Sequence, residues 1–243
     1  MEKNQNQLKP HIIIIAPPFQ GHLNPSIQLT LNLASKSFTV TFVNTDWTHH
    51  QITKARKHLK PENNDHLFSG SGLDIRYRTI SDGFPLSFDR SLNREQYMEG
   101  RIHVFPTYVD EFVGQLMGSG SDPPPTCLVA DTFYTWGSTI ARKYALVHVS
   151  FWTQPALVLT LYYHLDLLKK KGHYGANRKL VSSNEIAERI KFFMSGERSH
   201  ELRNAVEEVR KKVENALSSN GSSKKNFDKF VEDLKAKIES NKN

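Results

Sequence analysis

Residues 11–25, HIIIIAPPFQGHLNP, constrain the fold more than any other stretch of the chain. Ile12 to Ile15 is a β-branched run with no polar alternation, which suits a parallel strand covered on both faces and not a hairpin wet on one side. Pro17 and Pro18 end it. Asn24 followed by Pro25 matches an N-cap and a first helical residue, so a helix is expected to begin there. Phe19 to Leu23 then form the loop at the carboxyl end of a first parallel strand, where open α/β sheets place their ligands. Gly21 and His22 lie in that loop, and His22 is its single titratable side chain.

The same alternation of strand and helix continues. Ile27, Leu31 and Ala34, with Leu29 and Leu33 nearby, form an apolar stripe for docking on a sheet. Strands are expected at 38–43, 73–80, 127–130 and 146–152, with Asp131 at or just past the end of the fourth. Helices are expected at 26–36, 49–59, 94–117 with a kink or interruption at Pro106, 134–145 and 155–171. This order predicts an α/β fold: a parallel, Rossmann-like sheet with right-handed crossovers over residues 1–178. After Gly172 no strand pattern returns. Residues 182–194, 199–217 and 224–238 show helical spacing, so 179–243 is expected to be a strandless helical tail.

Composition excludes several function classes. Charged side chains are roughly twice as dense after residue 178 as before it, which marks a change of architecture. The net charge of +7 is diffuse, and acidic and basic residues alternate at helical spacing in the tail, as in Glu208 with Lys212. That pattern favours solvated helices over a phosphate-binding stripe, so no nucleic-acid partner is expected. Cys127 stands alone, which rules out an intrachain disulfide and suits a reducing compartment. The polar opening MEKNQNQLKP and the lack of any apolar run near membrane-span length predict no signal peptide, no membrane span and a cytoplasmic protein. His49 and His50 are adjacent on one helix and face apart, so no metal site is expected.

His22 and Asp131 both lie at carboxyl ends of parallel strands and can converge over one crevice. A neutral imidazole beside a carboxylate is a general-base pair, the carboxylate fixing the tautomer and stabilising the imidazolium. No G-x-S-x-G motif accompanies it, and no G-x-G-x-x-G or P-loop marks a nucleotide held at the first loop. From position alone two plainer readings stay open: His22 as an ordinary loop histidine, and Asp131 as the N-cap of the following helix.

HIIIIAPPFQGHLNP, FVNTDWTHHQI, TISDGFP, CLVADTFYTW and VSFWTQPA, in that order and spacing, resemble the N-terminal half of plant family 1 UDP-dependent glycosyltransferases. The resemblance covers residues 9 to about 178. It implies a GT-B fold and transfer of a sugar, with inversion, from a UDP-sugar to the hydroxyl of a small acceptor. No further cofactor is implied. On that basis His22 matches the base, Asp131 its partner carboxylate, and Trp152-Thr153 the pair whose threonine touches the donor sugar. Phe19, Gly21, Phe133, Tyr134 and Trp152 become candidate substrate-binding residues.

The family's donor-binding signature, running from Trp-Ala-Pro-Gln through His-Cys-Gly-Trp-Asn-Ser to Asp-Gln, is not in the sequence. Yet residues 179–238 resemble the helices that follow it. The chain therefore resembles a family member with its middle removed, joined near Arg178 and Lys179. Three readings follow: a sugar transferase whose donor site another chain supplies, a catalytically inactive small-molecule-binding module, and a basic helical interaction protein.

Overall fold

The computed structural model describes residues 9–59, 67–120, 123–172, 182–194 and 196–241. The expected junction near 178–179 lies outside the described residues. Five parallel strands make one sheet: β1 (His11–Ile15), β2 (Thr39–Thr45), β3 (Ile75–Ile80), β4 (Pro125–Asp131) and β5 (Val147–Phe151), in the order β3-β2-β1-β4-β5. β1 is central, and all five of its residues are buried. The edge strand β3 is only half-buried, in keeping with its alternating sequence.

The chain winds outward from β1 through β2 to β3, then returns to the other side of β1 for β4 and β5. β1 and β4 therefore flank the point where strand order reverses, the place where a crevice opens beyond the carboxyl ends. Their register puts Ile15 opposite Ala130, one residue short of Asp131. At the other end the pairing slips between His11 and Ile12. Thr126 closes the gap, its hydroxyl accepting from the His11 N–H at 3.3 Å and donating to the His11 carbonyl at 3.1 Å.

Helices α1 (Gln20–Ser35), α2 (Asp46–Leu59), α3 (Arg94–His103), α4 (Phe105–Gly118) and α5 (Gly137–Lys143) cover the sheet. Ile13, Ile15, Leu128 and Ala130 pack with Phe105, Val109 and Val113 of α4 and Ile140 of α5 into one core cluster. The expected 94–117 helix is interrupted at Pro106, which starts α4 where its missing N–H costs nothing. α5 begins close against the sheet. A Cβ at Gly137 would come within 2.8 Å of the Ala130 Cβ and 2.9 Å of His148 Nε2.

Three local expectations are corrected. α1 starts at Gln20, so Pro25 lies inside the helix and not at its first residue. Its absent N–H is tolerated one turn in, while the Ser26 and Thr30 hydroxyls donate to the carbonyls of His22 and Ser26. The buried face of α1 is correspondingly Leu23, Ser26, Thr30, Leu33 and Ala34, with Ile27 and Leu31 only half-buried. α5 is shorter than 134–145, because residues 131–137 form successive turns, Tyr134 N–H donating to the Asp131 carbonyl and Gly137 N–H to that of Tyr134. The 155–171 helix is two pieces, α6 (Ala156–Tyr163) and α7 (Leu165–Lys170), broken at His164, whose N–H is shared between the carbonyls of Thr160 and Leu161.

Two compact units are distinguished: residues 1–155 with 234–243, and residues 156–233. The second holds α6, α7, α8 (Ser183–Met194), α9 (Gly196–Leu217) and most of α10 (Ser222–Ser240). α8 and α9 contact one another, and ion pairs at helical spacing line their surfaces, with Arg210 between Glu207 and Glu214. The end of α10 belongs to the first unit, where Leu234 and Ile238 are buried and Asn241 donates to the Ala145 carbonyl at 2.7 Å.

His11 is fully buried, donating from Nδ1 to the Pro123 carbonyl at 2.7 Å while Nε2 accepts from the Thr41 hydroxyl at 2.7 Å. Burial holds its pKa below the ordinary 6.5, and burial lowers that of His148 as well. The unfolded chain thus binds protons that the folded one refuses. Stability should fall as pH drops below about 6.5, and the slope of unfolding free energy between about pH 6.5 and 5 should flatten in His11→Gln. Urea melts across that window check this; an unchanged slope contradicts it.

Candidate functional site

His22 lies in the first turn of α1, directly past β1, and Asp131 is the last residue of β4. Strand adjacency brings them together. His22 Nδ1 is 2.7 Å from Asp131 Oδ2, with the imidazole 14% exposed and the carboxylate 1%. A carboxylate only accepts, so Nδ1 carries the proton and donates it. Thr153, just beyond β5, places its hydroxyl 2.8 Å from the same nitrogen and 3.4 Å from Asp131 Oδ2. It accepts a share of the Nδ1 proton and donates its own to the carboxylate. Nε2, with no hydrogen bond among the described residues, keeps a free lone pair, the arrangement a general base requires.

Asp131 serves both readings of its position. Its Oδ2 meets the imidazole, while Oδ1 accepts from the Phe133 N–H at 2.9 Å and shapes the turn after β4. It is not the helix cap, since α5 begins after Trp136. The turn presents Phe133 edge-on to His22, with ring centroids 5.5 Å apart, and stacks it on Trp152 at 5.9 Å. Phe19 approaches the imidazole from the other side at 6.2 Å.

Two neighbouring cavities open here and share Phe19 and Met98. One, of about 440 Å³, is lined by Phe19, His22, Met98, Arg101, Ile102 and Phe133 among others. The second, of about 560 Å³, lies between Phe19, Trp47, Arg90 and Tyr97. Small, mostly apolar hollows with a few placed polar groups suit an organic molecule of modest size.

Of the candidate residues, His22, Asp131, Thr153, Phe19, Phe133 and Trp152 come together. Tyr134 does not join them at the cavity. It is buried in the core against Phe105 and Trp136, with the Arg101 guanidinium 5.1 Å from its ring centre. Gly21 is exposed, and a side chain there would meet open space, so no close approach demands a glycine. Cys127 is sealed in β4, burial pushing its thiol up to about 12, so it is no nucleophile at neutral pH. Among the described residues no group of His, Cys, Asp and Glu could hold a metal ion, and no helix is long and apolar enough to cross a membrane.

The sequence reading missed the contribution of α3. Met98, Arg101 and Ile102 follow i, i+3, i+4 spacing and form one wall. That spacing was the available signal. It also missed Arg90, which grips Asp82 with Nε at 2.9 Å and Nη2 at 2.8 Å, and donates to the Phe84 and Phe88 carbonyls. Nothing in the local sequence marks that pair. Both side chains are under 5% exposed, and the guanidinium lies over the Trp47 ring at 4.9 Å.

No family model matches the chain. UDP-glycosyltransferase 86A1 of Arabidopsis thaliana is 52% identical over 183 residues, 74% of this chain and 37% of that protein. UDP-glycosyltransferase 86A2 of the same plant is 50% identical over 170 residues, 68% of this chain and 33% of that one. The chain thus spans about a third of the length of the curated relatives it matches. Among solved structures, a UDP-glucose:anthocyanidin 3-O-glucosyltransferase in complex with UDP is 24% identical with a TM-score of 0.51, over 72% of this chain and 36% of that one. That likeness carries the fold.

Asp82→Asn leaves the Arg90 guanidinium buried without a counter-charge. It should cost about 3–5 kcal/mol of unfolding free energy, measured by urea denaturation. A loss within experimental error of zero would show that the backbone carbonyls alone satisfy Arg90.

Proposed function

We propose, for a chain that belongs to the plant UDP-dependent glycosyltransferase family, that its described sheet is the acceptor half of a sugar-transfer site. The single observation that carries this is the His22–Asp131 contact, with Nε2 left open beside an apolar cavity. A hydroxylated small molecule would lie against Phe19, Phe133 and the α3 wall, its hydroxyl at Nε2. His22 takes the proton as the oxygen attacks the anomeric carbon, and Asp131 stabilises the imidazolium that forms. Thr153, hydrogen-bonded to both partners, would touch the donor sugar, the role the family resemblance implies for it.

The resident residues supply only part of the reaction. Inverting transfer from a UDP-sugar also requires cations or dipoles to stabilise the departing UDP. The family's signature for that task is absent from the 243 residues. That absence favours binding without turnover for these residues by themselves, and the lone Cys127 suits a reducing, cytoplasmic setting. On this reading the acceptor lobe belongs to residues 1–178, and residues 179–243 correspond to the part that follows the donor region in longer relatives.

Thermal unfolding should therefore rise with a bound phenolic acceptor and stay unmoved by UDP-glucose, where a donor at about 100 times its dissociation constant would otherwise add roughly 2.7 kcal/mol. Fusing residues 1–178 to the C-terminal part of Arabidopsis UDP-glycosyltransferase 86A1 should yield sugar transfer from a UDP-sugar. In that fusion His22→Ala should lower kcat by about 10²–10⁴-fold with acceptor KM nearly constant. A fusion whose turnover ignores His22→Ala would sink the assignment.

A further inference from the structure

The first unit buries two arginines, and their surroundings differ in kind. Arg90 has a bidentate carboxylate and backbone carbonyls. Arg101, 7% exposed, has neither. Among the described residues its side chain makes one hydrogen bond, from Nη1 to Met98 Sδ at 3.4 Å, and sulfur is a weak acceptor. Its Nε is shut away from solvent with no partner. The hydroxyls of Tyr97 and Tyr134 are likewise buried and make no well-formed hydrogen bond, the Arg90 guanidinium lying near the Tyr97 oxygen and that of Arg101 near the Tyr134 oxygen. Burial keeps both phenols protonated at neutral pH, so neither can serve as its counter-charge.

The guanidinium is held in place, but by faces and not by charge. Its carbon lies 4.8 Å from the Phe19 ring centre and 5.1 Å from that of Tyr134. Aromatic faces orient a cation without satisfying its N–H donors. A buried guanidinium with neither a carboxylate nor a carbonyl to accept from it is costly, and native structures rarely leave one so. Arg101 lines the same 440 Å³ cavity as His22. The missing partner therefore has a place to enter.

We propose that this cavity takes an acceptor bearing a carboxylate, which Arg101 holds while the acceptor's hydroxyl lies at His22 Nε2. This rests on the acceptor-site reading above. A planar, singly charged carboxylate matches the guanidinium fork. A phosphate dianion would bring a second charge to a pocket whose other walls are Phe19, Met98, Ile102 and Phe133. Phe19 sets the spacing, its ring centre 6.2 Å from the imidazole and 4.8 Å from the guanidinium carbon. An aromatic hydroxy acid lying across that ring reaches both ends.

The test is a calorimetric titration of the 243-residue chain at neutral pH with 4-hydroxycinnamate and with its methyl ester, while NMR follows the His22 ring signals. The acid should bind about tenfold or more tightly than the ester, and both should shift His22. Arg101→Gln should abolish the preference, and Arg101→Lys, which keeps the charge but loses the fork, should retain part of it. Equal binding of acid and ester with His22 shifting overturns the carboxylate inference and leaves the acceptor site standing. A preference that survives Arg101→Gln also overturns it. Neither ligand binding, or no shift at His22 with either, overturns both readings. Should Arg101→Gln fail to fold, the acid–ester comparison on the unmodified chain and Arg101→Lys still decide.

Discussion

The hydrogen bond between His22 and Asp131 joins residues 109 positions apart, and the site depends on it. It exists because β1 and β4 are neighbours at the reversal of strand order. A strand as apolar as Ile12–Ile15 has to be covered on both faces and paired on both edges, which puts it at the centre of the sheet. Once β1 is central, the chain segments leaving β1 and β4 must emerge side by side. The His22–Asp131 pair is thus a consequence of the same burial that forms the core. The carboxylate is nearly sealed from water, which fixes the imidazole's orientation without a rigid loop.

Much of this was legible in the residues because the signals were local. An unalternating β-branched run announced β1, a β-branched-rich stretch β2 and a short apolar one β4, and Pro106 announced the break between α3 and α4. Strand-end positions announced that His22 and Asp131 could meet. What was not legible arose from contacts between distant segments. Asn24-Pro25 carries a good helix-start pattern, yet α1 begins earlier, at Gln20, because one missing N–H in a helix's second turn is a small loss beside added helix packed on a sheet. Tyr134 follows Phe133 in sequence, but the turn that Asp131 shapes sends the two rings opposite ways, one to the cavity and one to the core. Arg101 is an ordinary helical arginine until α3 is placed against Phe19 and Tyr134.

The two buried arginines show how one fold uses the same residue for different ends. Arg90 is fully paired, and it ties the 82–90 loop to itself. Arg101 retains unmet donors at a cavity, so the surrounding core holds it ready and leaves it unsatisfied. Preorganised, unsatisfied polar groups are where a folded chain stores the capacity to bind. His22 Nε2 is a second such group. The sheet thus carries an imidazole and a guanidinium at one hollow, but among its 243 residues the chain has no counterpart to the donor-binding signature of longer relatives.

Whether His22 can act as a base depends on which of its nitrogens carries the proton. Two-bond nitrogen–proton correlation NMR of the 243-residue chain at about pH 8, where an ordinary imidazole is neutral, reads the tautomer directly. The Asp131 contact predicts protonated Nδ1 and bare Nε2, with that preference lost in Asp131→Asn. A proton found on Nε2, or a tautomer indifferent to Asp131→Asn, would contradict the claim that β4 prepares this histidine to act as a base.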